Sequence, residues 1–135
     1  MRATTPGYRV GVLGVLRRPD GRVLLVDQPY VEGWSLPGGD LKRGETVQQG
    51  LRRELREELG LDLPVPAPVL AHQRSSDRWV TFVALVGVSE EQADAARALS
   101  AELTGIGWFD PATLPAMDPD ARTPLALVLP DHRAG

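Results

Sequence analysis

The sequence predicts an α/β chain of the α+β kind, a mixed β-sheet sandwiched between α-helices. Three observations carry this expectation. An apolar hairpin comes first, a helix with an apolar stripe at every fourth position follows it, and a long apolar strand comes after the helix. The 135 residues, 42% of them apolar, suffice for one domain built on one core, here residues 1–135.

The hairpin runs from Tyr8–Leu16, rich in valine and leucine, through the turn Pro19-Asp20-Gly21 to Val23–Val26. Tyr30–Asp40 reads as a loop punctuated by Gly33, Pro37, Gly38 and Gly39. Val47, Leu51, Leu55 and Leu59 then form the stripe of the main helix, with Thr46 as N-cap and Gly60 as its stop. Pro64, Pro66 and Pro68 make a stiff connection to the strand Trp79–Val88. Ser89–Leu99 predicts a short helix opened by a capping box of Ser89 and Gln92. Ile106–Phe109 is a short strand, and Asp110-Pro111 starts a turn or short helix ending near Pro115. Thr123-Pro124 is read as the start of a last helix reaching Leu129, because proline suits the first helical position.

Composition narrows the function. With no cysteine there are no disulfides and no thiolate metal sites, which leaves oxygen atoms and two histidines as metal ligands. The net charge of −3 and the lack of a basic block argue against long DNA or RNA as partner. A small, highly anionic ligand remains compatible if a cation mediates the contact. No apolar run is long enough to cross a bilayer and Met1–Val10 lacks the marks of a secretion signal, so a cytoplasmic location is expected.

On the main helix, Glu54, Glu57 and Glu58 lie three and four positions apart and share one side. At about 100° per residue, Glu58 falls at nearly the angle of Val47, on the edge of the apolar stripe, where a carboxylate is costly to desolvate. The three also sit in the last two turns, where the helix dipole favours cations, and Glu54 and Glu58 repel each other. A glutamate-rich helix face is ordinarily a solvated one. Here a bound divalent cation removes all three penalties together. With only oxygen ligands available, magnesium leads and manganese can substitute.

The segment Gly39–Leu61, GDLKRGETVQQGLRRELREELGL, carries Gly39, Glu45, Arg53, Glu54, Leu55, Glu57, Glu58, Gly60 and Leu61 in fixed spacing. It resembles the Nudix box, G-x5-E-x7-R-E-U-x-E-E-x-G-U with U bulky and aliphatic, at every defining position. Such a pattern arises by chance on the order of once in a billion start positions. Leu36-Pro37-Gly38-Gly39 before the box, and Trp108-Phe109 with Leu114-Pro115 after it, are similar to the family's flanks. The resemblance implies a mixed sheet between helices and metal-dependent hydrolysis of a nucleoside diphosphate linked to another group. It implies that Glu54, Glu57 and Glu58 bind metal and that Glu57 or Glu54 deprotonates the attacking water. Arg53 would orient a carboxylate of the box, and Glu45 would support the loop–helix geometry. The carbonyl of Gly38 or Gly39 would complete the coordination, while the glycines let the backbone approach the phosphates. Relatives often pair, which leaves a homodimer open.

Outside the box, Glu102 stands where related members place a further metal ligand or base, although it also reads as a plain surface residue. Trp34 is either a base-stacking residue or an anchor for its loop, and Tyr30 is a weaker candidate for ligand contact. Arg74 and Arg78 could meet phosphates; His72 and His132 receive no role. Arg74-Ser75-Ser76-Asp77-Arg78-Trp79 lacks the proline and the tyrosine that mark the ADP-ribose and diadenosine branches. The expected substrate is therefore a small nucleotide, first a nucleoside triphosphate. A nucleotide sugar or dinucleotide is the alternative, and a non-catalytic nucleotide sensor is the alternative of another class.

Overall fold

The computed structural model describes residues 7–74 and 78–129. Strands β1 (Arg9–Arg17), β2 (Val23–Asp27) and β3 (Gly38–Asp40) precede helix α1 (Val47–Leu59). Strands β4 (Leu70–Arg74) and β5 (Trp79–Gly87), helix α2 (Glu90–Ala95), strand β6 (Gly105–Phe109), a 3-10 turn (Pro111–Thr113) and helix α3 (Pro119–Val128) complete the chain. The sheet runs β4-β5-β1-β2-β6, with β3 beside β1. Strands β1 and β5 are parallel and pair from Arg9↔Trp79 to Arg17↔Gly87; the other strand pairs among the described residues are antiparallel, so the sheet is mixed.

Alternation along β1 and β2 sends successive side chains to opposite faces. Val12, Leu16, Leu24 and Val26 meet Leu51, Leu55 and Leu59 of α1 on one face. Val15, Val23 and Leu25 meet Ala121 and Leu125 of α3 on the other. The expected layering of a sheet between helices is what forms.

The hairpin holds β1 and β2 together only at Arg17↔Val23. Beyond that pair β3 takes the flank of β1, at Gly11↔Asp40, Val12↔Gly39 and Leu13↔Gly38, while Ser35 bridges to Val26 of β2. The stretch expected as a loop thus ends in a strand. Gly38 makes that approach possible: a Cβ on it, at φ 150°, would lie 1.9 Å from the Val12 carbonyl oxygen.

Two further expectations change. Strand β4 was not anticipated, because Leu-Ala-His-Gln-Arg has neither an apolar run nor β-branched residues; as an edge strand it needs only its pairing with β5. Helix α3 starts at Pro119, not at Thr123-Pro124. Asp118 caps it and Pro119 takes the first turn, so Pro124 lies inside the helix and is buried. The predicted helix over Ser89–Leu99 is real but ends at Ala95, and its Ser89–Gln92 capping box forms as expected. Among the described residues no helix is long and apolar enough to cross a membrane.

Candidate active site

Helix α1 positions the acidic residues, and its ends are well determined. The Thr46 hydroxyl accepts from the Gln49 N–H at 3.1 Å, and the Gln49 side-chain oxygen accepts from the Thr46 N–H at 2.9 Å. Gly60 closes the helix at φ 71°, a left-handed conformation that suits glycine. The carbonyls left open at that end are met from outside. The Leu99 N–H donates to the Glu58 carbonyl at 2.8 Å and the Arg97 N–H to the Leu59 carbonyl at 3.1 Å. These two bonds bring the segment leading to Glu102 against the end of α1.

Glu58 is buried, with 4% of its surface exposed. Its Oε1 accepts one bond, from the Gly38 N–H at 2.9 Å. Burial pushes its carboxyl up to about 8; the Gly38 bond works against the shift, and the charges of Glu54, Glu102 and Glu57 add to it. The helix-wheel expectation of a desolvated carboxylate at this position is what the structure has. The repulsion also places Glu102, itself exposed on its turn, within electrostatic reach of Glu58.

Arg53 organises the rest. Its Nε donates to Glu45 Oε2 at 2.7 Å and its Nη2 to Glu45 Oε1 at 2.9 Å. Nη1 donates to Glu54 at 2.8 Å and to Glu57 at 3.4 Å, and Nη2 also reaches the Asp40 carbonyl at 3.1 Å. Glu45 accepts the Lys42 N–H as well. Arg53 and this backbone donor hold the Glu45 carboxyl down at about 2, and the carboxylates raise Arg53 above the ordinary guanidinium range. Glu54 lies against Gly39 so closely that a Cβ there would come within 2.6 Å of its carboxylate.

Gly38, Gly39, Glu45, Arg53, Glu54, Glu57 and Glu58 therefore gather around the junction of β3 and α1. Glu54 and Glu57 are turned toward Arg53, and among the described residues no three acidic or histidine side chains converge on one point as they stand. The donor set nevertheless suits a hard cation. It is all oxygen, and Glu58 is a desolvated carboxylate with one hydrogen-bond donor to offset its burial.

Other candidates fall elsewhere. Trp34 packs edge-on against Phe109, ring centroids 5.0 Å apart, and its backbone pairs with Ala116 and Asp118. Tyr30 is 98% exposed. Arg78 sits in the turn before β5, while the Arg74 side chain, Ser75–Asp77 and His132 lie outside the described residues. A cavity of about 230 Å³ opens beside Gly38 and Gly39 on the face away from α1, with Gly11, Gln28, Ser35, His72, Trp79, Thr81 and Asp120 in its wall. The sequence reading missed these residues. They come from separated segments: the pairing of β1 with β5 and of β5 with β4 brings Gly11, Trp79, Thr81 and His72 together, and the loop after β2 and helix α3 add the others.

The fold and this junction define the class. Residues 7–130 match the family model of the NUDIX domain, and the chain belongs to the Nudix hydrolase family. A MutT-like protein of Streptomyces ambofaciens is 34% identical over 110 residues, covering 81% of this chain and 69% of that protein. The human 8-oxo-dGDP phosphatase NUDT18 is 31% identical over 107 residues, covering 77% of this chain but only 33% of that protein, so the chain spans about a third of its length. Among solved structures, a MutT NUDIX hydrolase from Burkholderia pseudomallei superimposes with a TM-score of 0.78 at 27% identity, covering 91% of this chain and 99% of that one.

Proposed function

We propose that the chain hydrolyses a phosphoanhydride bond of a nucleoside diphosphate derivative, a nucleoside triphosphate first, with magnesium held by Glu54, Glu57 and Glu58. The observation that carries this is the buried Glu58 carboxylate, unfavourable in itself, on the same helix as Glu54 and Glu57, which one arginine ties to Glu45. The relatives' names point the same way: the human protein is called an 8-oxo-dGDP phosphatase and a Bacillus subtilis relative, 28% identical, a putative 8-oxo-dGTP diphosphatase.

When bound, a divalent cation neutralises phosphate charge and makes a coordinated water more acidic. The chain's own residues do the rest. Glu57, the most exposed of the three on α1, would take the proton from the attacking water, with Glu54 as the other candidate. Arg53 links both carboxylates to Glu45 and the Asp40 carbonyl, so the loop before α1 is held against the helix before substrate arrives. Gly38 and Gly39 keep that side of the site free of side chains, which lets phosphates come close. The ring of the nucleotide enters the adjacent cavity. Its volume of about 230 Å³ is below the roughly 300–1,000 Å³ of pockets that enclose a whole ligand, and suits one part of a nucleotide.

The test is a panel of nucleoside triphosphates, ADP-ribose, nucleotide sugars and dinucleotides, each run with magnesium and with chelator, with phosphorus products identified. Chelator-sensitive cleavage that disappears in Glu57→Gln is expected. Tight binding without cleavage of any compound would favour a sensor.

A further inference from the structure

Besides Glu58, the described residues hold one buried charge, and the acidic junction does not use it. Arg18, just after β1, is 8% exposed. Its Nη2 donates to Glu90 and, at 3.1 Å, to Asp94, one turn apart on α2. The guanidinium also lies 5.0 Å from the centroid of the Trp108 ring, on β6. Its Nε is buried without a hydrogen-bond partner. The hairpin sets the backbone beneath it: the Arg18 N–H donates to the Arg22 carbonyl and the Gly21 N–H to the Arg18 carbonyl, each at 2.9 Å.

Helix α2 and strand β6 are the elements on either side of segment 96–104. That segment lies along the end of α1. Arg97 and Leu99 donate to the carbonyls of Leu59 and Glu58, and Leu103 is buried in the core that α1 covers. The segment carries Glu102, whose charge acts on Glu58. One guanidinium therefore joins the elements at both ends of the segment that brings Glu102 to α1.

Stability alone does not call for an arginine here. Burying a guanidinium is costly, and a buried ion pair is often no better than an apolar side chain of like size. The carboxylate partners stand mostly in solvent, 53% and 73% exposed, which weakens each pair further. What an apolar residue cannot supply is direction. A planar fork that also faces an aromatic ring fixes α2 and β6 relative to one hairpin residue. We propose that Arg18 is a positioning residue of the hydrolase: it latches α2 and β6, and so holds segment 96–104, with Glu102, against the end of α1. Its effect on turnover rests on the reading that Glu102 serves the metal site.

Arg18→Met tests this, because it keeps an apolar stem in place and leaves Glu90 and Asp94 in solvent. Amide hydrogen exchange reads the position of the segment without any activity. The Arg97 and Leu99 amides should exchange about tenfold faster than in wild type, while amides in the middle of α1 and the melting temperature hardly change. A magnesium titration of turnover, on the triphosphate that the wild type cleaves fastest, reads the consequence. Arg18→Met should raise the half-maximal concentration about tenfold, as Glu102→Gln should, and the double variant should be no worse than Glu102→Gln alone. Arg18→Lys keeps the charge without the fork and should fall between; it carries both readings if Arg18→Met melts far below wild type. Wild-type exchange at both amides overturns the proposal. So do magnesium losses that add in the double variant, or a wild-type titration in Arg18→Met where Glu102→Gln is impaired. Faster exchange at both amides, in a protein whose titration neither variant alters or that cleaves nothing, would leave Arg18 as the latch and remove the reading of Glu102 or of the hydrolase instead.

Discussion

Arg53 grips Glu45 at two points, Nε to Oε2 at 2.7 Å and Nη2 to Oε1 at 2.9 Å, and the same guanidinium reaches Glu54 at 2.8 Å through Nη1. One planar group thus fixes the loop before α1 relative to a carboxylate in its middle. Lysine cannot do this, because a single ammonium has no fork. Arg53→Lys is expected to lower kcat roughly 100-fold, the cost of misplacing reacting groups by about an ångström, with a small loss of melting temperature. Glu45→Gln should behave alike, and the double variant should be little worse than either. Additive losses in the kinetic cycle would show that the two residues act separately.

The two glycines of β3 face different obstacles. A Cβ on Gly38 meets the backbone of Val12 at 1.9 Å, at a φ of 150°. One on Gly39 meets the movable end of Glu54 at 2.6 Å. Gly38→Ala should therefore unfold or strongly destabilise the protein, since backbone strain alone costs about 1–3 kcal/mol before the collision is counted. Gly39→Ala should melt within a few degrees of wild type and yet lose activity, because Glu54 must turn away. Calorimetry alongside turnover separates the two; equal melting losses would contradict this account.

Glu102 is held near Glu58 by backbone bonds and acts on it through charge. Leu99 and Arg97 donate to the last carbonyls of α1, and the Ser100 hydroxyl accepts from the Glu102 N–H at 3.1 Å. Glu102→Gln should raise the magnesium concentration for half-maximal activity, on the order of tenfold, with a smaller effect on kcat at saturating metal. A magnesium titration identical to wild type would make Glu102 a plain surface residue.

How much of this was legible beforehand follows from the range of each interaction. The α1 stripe, its caps at Thr46 and Gly60, and the desolvated angle of Glu58 are local periodicities, so the sequence states them directly. Spacing also places Glu54, Glu57 and Glu58 on one side, and the Nudix pattern adds Arg53 and Glu45. What spacing cannot state is that β3 leaves the loop to join β1, or that the short, polar β4 pairs at the edge. Trp79 and His72 share a cavity because β4 pairs with β5, and Asp120 joins them from α3, while their sequence neighbourhoods carry no signal of it. Asp118-Pro119 carries the same start signal as Thr123-Pro124, and only packing decides that α3 begins at the first of them.

Glu58 also sets how stability depends on pH and metal. Without a divalent ion, burial pushes its folded carboxyl up to about 8, against 4.5 for an unperturbed glutamate. Between those values the folded state binds more protons than the unfolded state, so stability falls as pH rises through the window, by up to about 1.4 kcal/mol per pH unit. The contribution is whole below the lower value and gone above the upper one. Glu58→Gln keeps an oxygen for the Gly38 N–H and cannot ionise, so in chelator its melting temperature should vary less over this range and exceed that of wild type at the alkaline end. Magnesium should reverse the order: it displaces the proton and stabilises wild type most at high pH, while the glutamine variant responds little. Melting curves at several pH values, with magnesium and with chelator, decide the matter. A chelated wild type with the same pH profile as Glu58→Gln would mean that burial of this carboxylate is offset within the protein, and that no cation is needed to balance it.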